Sequence, residues 1–416
     1  MAHIWQSLRS GDWLTVSRAR AYCLILLVIC VLAAVIWIAL SKGLVDRTGK
    51  PIGTDFSSFY AAGSLVLEGK AAAVYDMAAH YAQQKQLFGA NTPYYGFLYP
   101  PVFLLVTAPL ALLPYPVALA LWQGGTLALY LFVIAMILRQ ARQESSTIAE
   151  IWWLPAAAFP AVFLNLGHGQ NGFLTAALLG AALVVLPRKP VAAGVLIGLL
   201  AYKPQFALVI PFALLAAGQW RTILAASVTV AAIVIASYLL FGPESWWSFL
   251  ASTKTSRELL LESGSVGFEK LQSAFAAVRM WGGSVTLSYA IQGLVSLATI
   301  CGTAWIWHSA QNDNLKAAAL VTATALASPH ILDYDLMLLG PAIAFFIAGT
   351  HNRLRDYDIS ALFAIWVTPL FARAGAMTLA IPIGFIAMLA LYVLILRHVL
   401  HARSSAGTHK LNVAQT

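Results

Sequence analysis

Long stretches without a charged residue constrain this chain more than any other feature. The first, from Ala21 to Leu40, is about twenty apolar residues and follows Arg18 and Arg20. That length crosses a hydrocarbon layer as a helix and exceeds the apolar core of a signal peptide. It is read as an uncleaved first span with the N-terminus inside. The pattern recurs along the sequence, which is 60% hydrophobic and only 10% charged, where soluble domains carry about a quarter charged residues. In hydrocarbon every backbone amide needs an internal partner, so a spanning chain is helical or a closed barrel. A barrel would show short segments of alternating polarity. These runs are long and continuous, so the expected fold class is all-α and polytopic.

Basic residues set the expected sidedness. Arg139 and Arg142, Arg188 and Lys189, Arg221, Lys316, Arg353 and Arg355, and Arg397 and Arg403 fit the inner side. The turns around Gly169, Pro204, Pro329 and Gly375 then face outward, as do the longer loops 41–97 and 242–284. About twelve spans with both termini inside keep this alternation. The apolar stretch 98–113 is too short to cross and is read as a re-entrant or surface-lying helix. The short runs 191–202 and 206–217 flank Lys203-Pro204 and are read as broken or tilted helices around a buried polar turn. Residues 1–402 form one expected membrane domain, with a short disordered cytoplasmic tail at 403–416. The formal charge of +9 is scattered between apolar runs, which argues against nucleic acid. Cys23, Cys30 and Cys301 sit in apolar runs without metal-ligand spacing. Trp152, Trp153, Trp246 and Trp247 fit interfacial belts. The halves show no clear inverted repeat, unlike many secondary transporters.

Ionisable and polar residues near membrane depth each need a partner or a function. Four places carry them. In Gly53-Thr54-Asp55-Phe56-Ser57-Ser58-Phe59-Tyr60, Thr54 or Asp55 either caps a surface helix with Phe59, Ala62, Leu65 and Val66 on its apolar face, or Asp55 serves as a general base. Gly167-His168-Gly169-Gln170-Asn171 is either a plain polar turn or a ligand-binding one. In Ala201-Tyr202-Lys203-Pro204-Gln205, Lys203 either snorkels to the interface or presents a compact charge to a phosphate. In Ser328-Pro329-His330-Ile331-Leu332-Asp333-Tyr334-Asp335, one aspartate is expected to cap the next span, while His330 is a candidate donor to an anion. The spacing matches no strong metal-ligand motif, so no metal is expected.

These blocks carry a resemblance. TDFSSFYAAGSLVLEG, AVYD, FLYPPVFLLVTAPLALLP, GHGQNGFLTAALL, AYKPQFALVIPFALLAAGQWR and SPHILDYD follow in an order and spacing that resembles glycosyltransferase family 87, of the GT-C superfamily. The resemblance implies a GT-C-type membrane enzyme that takes a hexose, typically mannose, from a polyprenyl-phosphate sugar. Transfer is to an acceptor hydroxyl on the non-cytoplasmic face, with a catalytic carboxylate in the first outer loop. That role falls on Asp55, acting as base in an inverting displacement. Lys203, His330, Tyr99, Gln170, His168, Tyr60 and Gln205 are the accompanying candidates for holding donor phosphate or substrate. An apolar groove lined by Phe97–Leu113 would hold the prenyl tail. The expected partners are this donor, a glycolipid or glycan acceptor and membrane lipids, with no cofactor. The expected location is the cytoplasmic (inner) membrane, with the site facing the periplasm or cell exterior. The rival reading is a transporter or lipid flippase using Lys203 with Asp333 or Asp335 as a coupled-ion site.

Overall fold

The computed structural model describes residues 2–141, 153–265, 267–309, 312–350 and 354–413. Trp152, Arg142 and Arg353 lie outside the described residues. The described elements are helical, joined by loops with a few isolated β-bridges. Seven helices are long and apolar enough to cross a membrane: Val16–Ala39, Tyr115–Arg139, Trp220–Phe241, Val285–Ser309, Asp333–Thr350, Asp358–Leu379 and Ile383–Arg403. The chain is therefore a polytopic helical membrane protein. Apolar helices too short to cross by themselves, Pro101–Ala111, Gly172–Val185, Pro190–Tyr202 and Pro204–Ala216, lie among them. The last helix continues to Val413.

The long helices divide by what surrounds them. Val16–Ala39 exposes Leu24, Ile25, Val28, Leu32, Val35 and Ile36, and Trp220–Phe241 exposes Leu224, Val228, Ile235 and Leu239. Such apolar faces are stable only against lipid. Asp333–Thr350 is instead almost wholly buried and forms the centre of the bundle. The helix Asp313–Leu326 packs on it, with Leu315 against Gly349, and its Ala317, Ala318, Ala319 and Ala323 are all buried. Small side chains allow the close backbone approach that holds helices together where lipid offers no hydrophobic drive.

The break expected at Lys203-Pro204 is present, and its cause is local. Pro190–Gly198 tightens into a 3₁₀ turn, Leu199–Tyr202, and a second 3₁₀ turn, Pro204–Leu208, precedes Ile210–Ala216. Proline disfavours helical backbone in the residue before it, and Lys203 sits at φ −122°, ψ 74°. The stretch around 98–113 likewise folds as the 3₁₀ turn Pro101–Phe103 and the helix Leu104–Ala111, alongside the helix Thr54–Leu67. At Gly63 the two backbones come so close that a Cβ would collide with the carbonyl of Thr107.

The four turns expected on one side do converge at one end of the bundle. Gly169 packs on Gly53, Lys203 reaches Asp335, and Arg373, near Gly375, faces Asp333. The two long loops meet there through the rings of Tyr75 and Phe249, 5.6 Å apart. The opposite end is basic. Arg9 pairs with Asp356, while Arg397 and His398 both bond the fully buried Asp358. Trp153 and Trp247 are exposed, as belt residues would be, whereas Trp246 packs on Phe249.

Candidate active site

Asp55 lies in the first turn of the helix Thr54–Leu67, but it is not the cap. The N-cap is Gly53, which takes the left-handed conformation (φ 72°) and leaves the carboxylate of Asp55 free for other partners. Gly169, at φ 67°, ends the helix Pro160–His168, and a Cβ there would run into Phe56 and touch the backbone of Gly53. Two glycines thus let the Asp55 loop and the Gly167–Asn171 turn touch. Trp122 fastens that turn by donating its indole N–H to the Gly169 carbonyl, 3.0 Å. The contact brings His168 and Gln170 to Asp55.

Gln170 is held in one orientation. Its Oε1 accepts from the Tyr99 hydroxyl (3.2 Å) and from the Asn171 amide (2.9 Å), so its Nε2 must be the atom facing Asp55, where it donates to Oδ2 at 3.0 Å. Burial, with the charges of Asp335 and Asp55, pushes the Tyr99 phenol up, so it stays a donor. His168 Nδ1 stands 2.9 Å from the Thr54 hydroxyl and 4.0 Å from Asp55 Oδ2. The side chains of Asp55 and His168 are 26% and 29% exposed, so an incoming molecule can touch both. The second oxygen of Asp55 has no hydrogen bond among the described residues. This carboxylate is oriented, adjacent to a helix N-terminus that favours its charge, and left with a free face. Such a group can accept a proton from a hydroxyl.

The other acidic block is arranged differently. Lys203 Nζ and Asp335 Oδ1 are 2.5 Å apart, with side chains only 2% and 3% exposed. Asp335 Oδ2 also accepts the backbone N–H of Leu332, so it is the aspartate that caps the turn Asp333–Leu338. Asp333 Oδ1 accepts the amide of Tyr334, and its Oδ2 faces Arg373 at 3.8 Å. The block is tied to the Gly167–Asn171 turn by Asn165. Fully buried, Asn165 donates to the carbonyl of Tyr334 (3.0 Å) and accepts from the amide of Gly172 (3.0 Å). The rings of His168 and Tyr334 lie 6.3 Å apart. Burial pushes His330 below the usual imidazole range, and its ring makes no hydrogen bond among the described residues. Among those residues no group of three or more His, Cys, Asp or Glu side chains is placed to hold a metal ion.

Asp55, Gln170 and Tyr99 therefore form one hydrogen-bonded group, with His168 bonded to Thr54 at its side and the Lys203–Asp335 pair nearby. Two further candidates take no part in this hydrogen-bonded group. Tyr60 donates to the carbonyl of Leu113 (2.8 Å), and Gln205 makes no hydrogen bond among the described residues. Much of Phe97–Leu113 packs inward: Phe97, Tyr99 and Phe103 surround Phe59 with ring centroids 5.1–6.4 Å away. Thr54, Asn165 and Arg373 were not among the candidates read from sequence. Arg373 had a usable signal, an ionisable residue inside an apolar run.

The model of glycosyltransferase family 87 matches residues 97–329, more than half of the sequence. It covers the Tyr99, Gly167–Asn171 and Lys203 segments and ends at Pro329, so Asp55 and the aspartates at 333 and 335 lie outside the match. No curated protein and no solved structure matches the chain.

Proposed function

Because this chain belongs to glycosyltransferase family 87, we propose that it moves a hexose, mannose first among them, from a polyprenyl-phosphate sugar to an acceptor hydroxyl. The observation that carries the reading is Asp55: an oriented, partly exposed carboxylate with one oxygen held by Gln170 and the other free. The acceptor O–H gives its proton to that free oxygen as its own oxygen bonds the anomeric carbon. The bond from that carbon to the phosphate oxygen breaks, and its electron pair leaves with the polyprenyl phosphate. One displacement inverts the anomeric configuration. General-base assistance of this kind contributes roughly 10²- to 10⁴-fold. Remote binding of the prenyl tail adds positioning.

The same reading places the site on the non-cytoplasmic face of a cytoplasmic membrane, because the opposite end gathers Arg9, Arg355 and Arg397. It also keeps twelve crossings in a single domain over residues 1–402, with 191–202 and 206–217 as broken or tilted helices and 98–113 re-entrant or lying on the surface. A coupled-ion transporter finds less support. The pair it would use, Lys203 and Asp335, is sealed from solvent.

The test is transfer by purified protein supplied with radiolabelled polyprenyl-phosphate mannose and a crude lipid acceptor pool. Label appearing in the acceptor pool, with release of polyprenyl phosphate, is the expected result. Transfer from a nucleotide sugar alone, or none from several polyprenyl-phosphate sugars, would overturn the reading.

A further inference from the structure

We propose that Arg373 holds the phosphate of the lipid-linked donor, with Asp333 orienting its guanidinium; this rests on the transferase reading above. Breaking the bond to the anomeric carbon turns a phosphodiester with one negative charge into a monoester that carries two. The site needs a cation whose donors are available as that charge grows.

Lys203 does not meet this need, since its ammonium is buried and bonded to Asp335. His330 is held toward its neutral form by burial. His168 has its Nδ1 engaged with Thr54. Arg373 does meet it. The residue lies within the apolar helix Asp358–Leu379, where a permanent charge is costly unless it is used. Its side chain is 39% exposed. Its ionic partner is Asp333 Oδ2 at 3.8 Å, too far for a hydrogen bond, and that oxygen is buried without any hydrogen-bond partner. The guanidinium fork therefore keeps its N–H donors uncommitted, in the geometry that suits a phosphate. The ring of His168, 4.0 Å from Asp55, lies 6.3 Å from the ring of Tyr334, next in sequence to Asp333, so Arg373 and the proposed base stand beside one centre. Asp333 is a positioning residue: it sets where the guanidinium stands and makes no contact with the donor.

The test measures binding of a short-chain polyprenyl phosphate to purified protein, alongside donor and acceptor KM values and kcat. Arg373→Gln should weaken polyprenyl phosphate binding by roughly tenfold or more, because a charge-assisted bidentate contact is lost. Donor KM should rise and kcat fall while acceptor KM holds. Arg373→Lys should recover part of the loss, and Asp333→Asn should raise donor KM alone. Should the Gln variant not fold, polyprenyl phosphate is expected to protect Arg373 of the wild type from phenylglyoxal, read by peptide mass. Wild-type binding by Arg373→Gln, equal losses in the Gln and Lys variants, or no protection would each overturn the proposal. Equal binding of phosphatidic acid would overturn it too, by assigning the site to membrane headgroups. A wild type that binds polyprenyl phosphate yet transfers no sugar would instead sink the transferase reading.

Discussion

Asp55 and Asp335 stand at the same end of the bundle, near Tyr99 and Tyr334, yet their surroundings are opposite. Asp55 keeps a free oxygen and a quarter of its surface, and its charge is held by one amide and a helix N-terminus. Asp335 has both oxygens bonded, one to an ammonium and one to a backbone N–H, and almost no surface. A carboxylate that must take a proton needs an unfilled lone pair and a path for the acceptor. One whose lone pairs are filled and sealed away ties elements together instead. Lys203-Pro204 and Asp333–Leu338, far apart in sequence, are joined by that pair and by the Lys203 ammonium over the Tyr334 ring, 5.6 Å from its centroid.

The comparison is broken most forcefully at Lys203. Lys203→Met leaves Asp335 buried without its counter-charge, which should cost about 3–5 kcal/mol of stability. The double variant Lys203→Met, Asp335→Leu should regain most of that and retain sugar transfer. Thermal denaturation in detergent with a transfer assay reads both. An inactive but stable double variant would move the pair into the chemistry.

A smaller effect probes how the Asp55 helix is held from behind. His80 is fully buried and donates its Nε2 proton to the Ser58 carbonyl at 3.2 Å. Burial pushes its pKa from 6.5 to about 4. The unfolded chain therefore binds a proton between those values that the folded one refuses. Stability is full above pH 6.5 and falls as pH drops toward 4, by at most ~3 kcal/mol. His80→Gln should flatten that slope in a melting-temperature titration; an unchanged slope would assign it to other groups.

The smallest change sharpens the open side. Gln170→Ala removes the amide that aims Asp55 and should lower kcat by about tenfold, with a modest fall in melting temperature because Tyr99 and Asn171 lose their acceptor. A larger fall in stability than in turnover would make Gln170 a packing residue.

What was legible in the sequence follows the range of each interaction. The helical membrane class is written in local composition, and the prolines at 190, 204 and 329 announce breaks that nearby residues cause. The polar blocks around Asp55 and Gly167–Asn171 are conspicuous against apolar neighbours, and the structure joins them. Lys203 with Asp333 or Asp335 entered only as the rival ion site, and which role the lysine takes was not legible, because a lysine beside a proline looks the same whether it faces a phosphate or an aspartate 132 positions away. Nor was Gly53 as the helix cap, since Thr54 and Asp55 both have capping side chains and only the backbone geometry decides. The expected count of about twelve spans goes beyond what helix length shows, since seven described helices are long and apolar enough to cross and the other apolar helices are shorter.

The most direct measurement compares Asp55→Asn with Asp335→Asn in one preparation, reading melting temperature and mannose transfer from polyprenyl-phosphate mannose. Asp55→Asn should melt like wild type and lose roughly 10²-fold or more of kcat, the scale of a lost general base. Asp335→Asn should lose stability first and activity only in proportion to the folded fraction. Wild-type turnover by a folded Asp55→Asn protein would contradict the assignment of the base.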